Sequence, residues 1–238
     1  RLKPVMLLFR LALLAVFLFC SARTASAAIT ISPPAEATLW QLAELRVDGV
    51  PTVANNFDPD AIRLDAEFGA PSGRQISVPA YWTETFASRL VDGGEQTTPT
   101  GEKGWRVRFV PTEPGMHRII VHLARDGGGA APVASAQLDV ASTPPPGRHG
   151  WVRVAADRRT FETSDGQAFR IVGENVCWAS YAGTENYVAW FDALQRSGQN
   201  VARLWMSPWS FPLEQSADSL TRYNMDAAWR LDRVFELA

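Results

Sequence analysis

Apolar and polar residues alternate with a period of two through much of positions 28–141. In "AIRLDAEF" (61–68) Ile62, Leu64, Ala66 and Phe68 fall on one side, and in "GWRVRFVP" (104–111) Trp105, Val107 and Phe109 alternate with Arg106 and Arg108. "HRIIVHLA" (117–124) and "SAQLDVA" (135–141) continue the habit, with turn formers between them at "APSG", "DGG", "PTEPG" and "DGGG". Short alternating runs bounded by Gly, Pro, Asp and Ser predict strands that bury one face and wet the other. The expectation is an antiparallel β-sandwich in which Trp82 and Trp105 are core and the arginines beside Trp105 face water.

The period changes after "STPPPGRHG" (142–150), whose three prolines favour an extended, stiff linker. "RTFETSDGQAF" predicts a hairpin turning at Asp165-Gly166, and "FRIVGENVCWA" (169–179) a mostly apolar strand. "TENYVAWFDALQRSG" (184–198) is helical in pattern: Tyr187, Trp190, Phe191 and Leu194 share a face, Thr184 is the candidate N-cap and Gly198 the stop. "NVARLWM" (200–206) predicts the next strand. "DAAWRLDRVFELA" (226–238) predicts a second helix with Ala228, Leu231 and Phe235 on one side. Strand, helix, strand, helix is the grammar of a parallel sheet. The expected organisation is a leader over 1–27, an immunoglobulin-like sandwich over 28–142, a proline-rich linker over 143–150, and the truncated start of an α/β barrel over 151–238. Eight β/α units take about 250 residues, so the chain is expected to be the N-terminal part of a longer protein.

The leader reading rests on Arg1, Lys3 and Arg10, the apolar run "LALLAVFLFC" (11–20) and the small residues "ASA" at 25–27. That is a secretory signal pattern, too short to span a bilayer. It predicts a secreted or periplasmic protein with no membrane association once the signal is cleaved. The first residue is Arg rather than Met, and the natural start is expected slightly upstream. Cleavage leaves Cys177 as the one cysteine, read as an inert core thiol; no disulfide framework is expected, and no His or Cys cluster has metal-ligand spacing. No cofactor is expected.

The 238 residues are 46% hydrophobic and 20% charged with net charge −2, which supplies no electrostatic reason to expect nucleic acid as a partner. Nine tryptophans change the picture, because indole faces suit flat apolar surfaces, pyranose rings among them. Oligomeric state is not legible.

Two stretches carry a family resemblance. "NNFDPDAIRLDAEFGAPSGRQISVPAYW" followed by "GWRVRFVPTEPGMH" resembles an immunoglobulin-like domain of unknown function found in front of secreted glycosidases and related barrel proteins. "RVAADRRTFETSDGQAFRIVGENVCWA" and "WFDALQRSGQNVARLWMSPWSF" resemble the opening of a (β/α)8 TIM barrel of glycoside hydrolase family 5, the cellulase and mannanase type, or a close relative. The resemblance implies a retaining hydrolase of β-linked polysaccharide or oligosaccharide that uses two glutamates, on barrel strands that 1–238 does not include. The chain itself is therefore expected to be inactive. The alternative is a non-catalytic carbohydrate-binding or adhesion protein.

Within 1–238 no residue is expected to be catalytic. The resemblance places Arg203 beside the reacting carboxylates. Alternation puts Val201, Arg203 and Trp205 on one side of the strand and Ala202, Leu204 and Met206 on the other, so Arg203 would point inward and need a carboxylate partner. That partner is either the nucleophile or Glu174 on the neighbouring strand. Trp178, Trp205 and Trp209 are candidates for substrate binding or for core, and Asn175 either orients a sugar hydroxyl or caps its strand. Glu174 alone cannot make the carboxylate pair, about 5 Å apart, that retention requires. Glu185, Asp192, Asp226 and Asp232 are read as solvated helix faces.

Overall fold

The computed structural model describes residues 28–214 and 222–238. The expected leader lies outside the described residues.

Nine strands form two sheets. The first contains β1 (Thr30–Ser32), β3 (Ala43–Asp48), β7 (Gly94–Phe109) and β6 (Tyr81–Val91), in that order. The second contains β2 (Ala37–Thr38), β9 (Ala131–Ala141), β8 (Gly115–Arg125), β4 (Ile62–Gly69) and β5 (Gln75–Pro79). The chain changes sheet at every step from β1 to β4, then between β5 and β6 and between β7 and β8. One core joins both layers: Leu45, Val47, Trp105, Val107 and Phe109 from the first meet Ile62, Leu64, Ala66, Phe68, Ile119 and Val121 from the second. Phe68 stacks on Phe109 with ring centroids 4.0 Å apart. The period-two pattern accounts for this. An extended chain sends alternate side chains to opposite faces, and β4 reads buried at every second residue from Ile62 to Phe68.

Beyond the linker come a small antiparallel sheet of β10 (Arg153–Val154), β11 (Phe161–Glu162) and β12 (Ala168–Phe169), then β13 (Gly173–Val176). Helix α1 (Thr184–Arg196) connects β13 to β14 (Val201–Leu204), and helix α2 (Met225–Leu237) closes the sequence of elements. β13 and β14 pair in parallel, with Asn175 opposite Arg203. Tyr187, Val176, Phe211 and Val234 form a second, smaller core.

The fold class expected from the sequence is overturned. Among the described residues strand makes up 44% and helix 13%, in two helices, and no (β/α)8 TIM barrel pattern is present. The run 169–179 does not stay one strand: Ala168–Phe169 join the antiparallel β11, and only Gly173–Val176 enter the parallel pair. Among the described residues no further strand pairs with β13 or β14. Helix α2 packs on β6 of the first sheet as well as on α1, where barrel grammar would have it cover a growing parallel sheet. The strand-rich part is not purely antiparallel either, because β2 lies parallel to β9.

Three local expectations also change, each through tertiary contact. Arg106 is buried, held by Glu102 at 2.8 Å. Phe235 is exposed, and the buried stripe of α2 runs instead through Ala227 and Val234. Asp232 is not a merely solvated carboxylate: it receives two hydrogen bonds of 2.8 Å from Arg108 on β7.

Candidate functional site

The C-terminal ends of β13 and β14 carry the aromatic residues that the sequence singles out. Trp178 follows β13, and Trp205 and Trp209 follow β14. Trp178 meets Trp209 edge to face at 5.2 Å between centroids (86° between planes) and Trp205 at 6.1 Å (64°). All three are exposed, Trp209 by 66%. Edge-to-face pairing fixes the rings against one another while leaving indole surface free. The Trp205 Nε1–H donates to Asn175 Oδ1 at 3.4 Å, which orients the ring and spends one acceptor of the amide. These four residues come together.

Beneath them, Tyr187 is wholly buried and fixes the segments that carry the indoles. Its hydroxyl donates to the Cys177 carbonyl at 3.1 Å, one residue before Trp178, and its ring lies 5.9 Å from Phe211, two residues after Trp209. Burial raises the Tyr187 phenol above its ordinary value, partly opposed by a hydrogen bond with Ser210. Cys177 is a half-buried free thiol.

Arg203 lies on the face of β14 turned away from the helices, the side on which alternation places it, and that face is open among the described residues. The Arg203 side chain is exposed, and it forms no ion pair among the described residues. The reason is geometric: β13 and β14 pair only with each other, so one face of the pair packs on the helices through Ala202 and Leu204 while the other meets solvent. The Glu174 carboxylate accepts from Gln199 Nε2 at 3.2 Å and is not bridged to Arg203. It is the sole acidic residue on either strand. Met206, expected on the apolar side, is exposed by 54%.

A pocket of about 230 Å³ adjoins Trp209, with Ser180, Thr184, Ser210, Arg230 and Glu95 among its walls. The contribution of Glu95 was not legible in sequence. It sits at the tip of the β6–β7 hairpin, whose two-residue turn places Asp92 (φ 51°) and Gly93 (φ 78°) in the left-handed region. Its side chain is 1% exposed. One carboxylate oxygen accepts from Ser88 Oγ at 2.9 Å and from Thr184 Oγ1; the other accepts from the Thr184 backbone N–H at 3.1 Å and from Arg230. Thr184 is thus not the N-cap of α1. Gly183 occupies that place with no capping side chain, and Glu95, 89 residues away, supplies the acceptor. An anion at a helix N-terminus satisfies a free N–H and opposes the helix dipole. The "DGG" turn signal located the hairpin tip, but nothing local to it marks the helix it meets.

Among the described residues no group of three or more His, Cys, Asp or Glu is arranged to hold a metal ion, and no helix is long and apolar enough to cross a membrane. Residues 36–123 match the family model of a domain of unknown function, DUF5060. The match runs from β2 into β8, so it includes Glu95 and Arg108 but none of the indole cluster. No curated protein matches the chain.

Proposed function

We propose that this chain binds β-linked polysaccharide through the Trp178–Trp205–Trp209 surface, as part of a secreted glycoside hydrolase. The observation that supports the reading is the cluster itself: the exposed Trp205 and Trp209 both lie within 6.1 Å of the exposed Trp178, beside an amide and above an aromatic base. Pyranose rings present flat C–H faces that stack on indole, and the exposed amide of Asn175 offers hydrogen-bonding groups of the kind a ring hydroxyl uses. The signal pattern over 1–27 supports export to where such polymers are met. Glu174 is the only carboxylate on the strands that bear the cluster, so the contribution of 1–238 is substrate binding rather than bond cleavage.

The test is affinity electrophoresis through gels containing soluble β-glucan or β-mannan, followed by calorimetry with the oligosaccharide of the polymer that retards the protein. Trp178→Ala and Trp209→Ala should each abolish most of the retardation. Unchanged mobility of the unaltered chain in every polysaccharide gel would end the proposal. The full-length product of the natural gene should also release reducing sugar from the polymer it binds. Binding without release would reduce the role to adhesion.

A further inference from the structure

We propose that the strand-rich part is a fixed wall of the sugar-binding site rather than a separate module on a proline tether, with Glu95 as the positioning residue. The inference rests on the polysaccharide reading for what the site binds, but not for how the two parts are joined.

The joint has the features of a built contact. The Glu95 side chain is almost wholly buried although it belongs to a hairpin tip, and buried carboxylates persist only when paired and hydrogen-bonded. Both oxygens are satisfied, entirely so from α1, α2 and its own hairpin. Arg230, its partner on α2, is itself held by Asp226 at 3.1 Å and donates to Thr97 Oγ1 at 3.3 Å. The backbone follows the side chain: Glu95 N–H donates to the Tyr181 carbonyl at 3.1 Å. Two glycines allow this approach. A Cβ on Gly94 would lie 2.3 Å from the Tyr181 ring, and one on Gly183 would lie 2.0 Å from the Glu95 carboxylate. A larger residue at Gly183 would displace Glu95, whose Cβ as well as its carboxylate stands in the way, whereas one at Gly94 would push aside the exposed Tyr181 ring. A second ionic contact, Arg108 with Asp232, and two ring contacts, Phe86 with Trp229 and Phe57 with Tyr223, lie elsewhere along the same joint.

From this joint a short chain of contacts reaches the indoles. Glu95 fixes Thr184, the first residue of α1. One turn later Tyr187 holds the Cys177 carbonyl and packs on Phe211. Those two residues flank Trp178 and Trp209. Releasing the N-terminus of α1 therefore frees the support on which both rings stand, although Glu95 touches neither.

Two measurements test this on the whole chain. In the first, a protease site placed within 143–150 is cut after folding. The two pieces should stay together through size-exclusion chromatography in physiological salt, and separation would overturn the fixed-wall inference. In the second, Glu95→Ala should weaken polysaccharide binding at least tenfold and flatten the near-ultraviolet dichroism of the coupled Trp178–Trp209 pair, with far-ultraviolet signal retained. Glu95→Gln, which keeps a carbonyl acceptor for Thr184 but loses the ion pair, should restore part of both and serves if the alanine variant does not fold. A variant with unaltered tryptophan dichroism and unaltered affinity would overturn the positioning role. An altered dichroism in a protein that never bound polysaccharide would leave the joint standing and remove only the sugar reading.

Discussion

The contact between Arg108 and Asp232 offers a quantitative test of how the helices dock on the sheets. Arg108 lies on β7 and Asp232 on α2, 124 residues apart, and the guanidinium makes a two-pronged contact of 2.8 Å per bond. Charge-assisted hydrogen bonds contribute roughly 1.5–3 kcal/mol where protected, and exposed ion pairs about 0.2–1 kcal/mol. Both side chains are 34% exposed, which places this pair between those limits, at about 1.5 kcal/mol of coupling after solvent screening. Arg108 does more than pair with Asp232. It donates to Glu44 at 2.9 Å and lies 5.0 Å from the centre of the Tyr81 ring. A cation over an aromatic face adds about 0.5–1 kcal/mol. Arg108→Ala should therefore destabilise by about 3 kcal/mol and Asp232→Ala by about 1.5 kcal/mol, with the double variant close to Arg108→Ala alone. Urea unfolding followed by tryptophan fluorescence measures all four proteins. At roughly 2–4 °C per kcal/mol for a chain of this size, Arg108→Ala should also melt about 6–12 °C lower. Additive single-variant losses, with coupling under about 0.3 kcal/mol, would refute the claim that this pair helps fasten α2 to β7.

Other expectations follow from the same physical picture. Phe68→Ala removes a 1%-exposed ring stacked on Phe109 and should cost about 3–5 kcal/mol in chemical denaturation; a loss under about 1 kcal/mol would contradict the shared core. Asp165 is held below its ordinary value of 3.8, first by the hydrogen bond from Thr163 Oγ1 and then by His149. Its stabilising contribution is present above that ordinary value and is lost as pH falls through the depressed one, so Asp165→Asn should flatten the acid limb of a stability–pH curve. Tyr81 shows the opposite sign, since burial and donation to Glu44 raise its phenol above 10.0. That contribution is present below pH 10 and fades as pH rises beyond it, and Tyr81→Phe should remove the fading seen in alkaline melts. The chain of 238 residues, incubated with glucan or mannan, should release no reducing sugar, and turnover abolished by Glu174→Gln would refute the assignment of Glu174 to a non-catalytic place.

Much of the local structure follows from residue spacing alone. β4 and β7 bury the residues that alternation assigns to one face, and α1 turns Tyr187, Trp190, Phe191 and Leu194 toward one core because 3.6 residues per turn bring them together. The three indoles and Asn175 could likewise be nominated, because residues at and just beyond the C-terminal ends of two parallel strands lie near one another. The sequence also suggested a barrel, and that was wrong. Strand–helix–strand grammar specifies one crossover and does not count strands in a sheet, and among the described residues β13 pairs with β14 alone.

The surroundings of charged side chains were decided by tertiary structure. Arg203, in the middle of an apolar run, looks buried by pattern but is exposed, because the face of β14 opposite the helices is open among the described residues. Arg108 and Asp232, which pattern assigns to water, find each other because a helix lies across the outer side of the first sheet. Glu95 looks like an ordinary hairpin-tip carboxylate and is nearly inaccessible. Period and propensity act over a few residues, so the sequence by itself set the strands, the helices and the faces they prefer to bury. Which outward face another element covers depends on contacts between positions about 90 and 124 residues apart, and no local pattern encodes them.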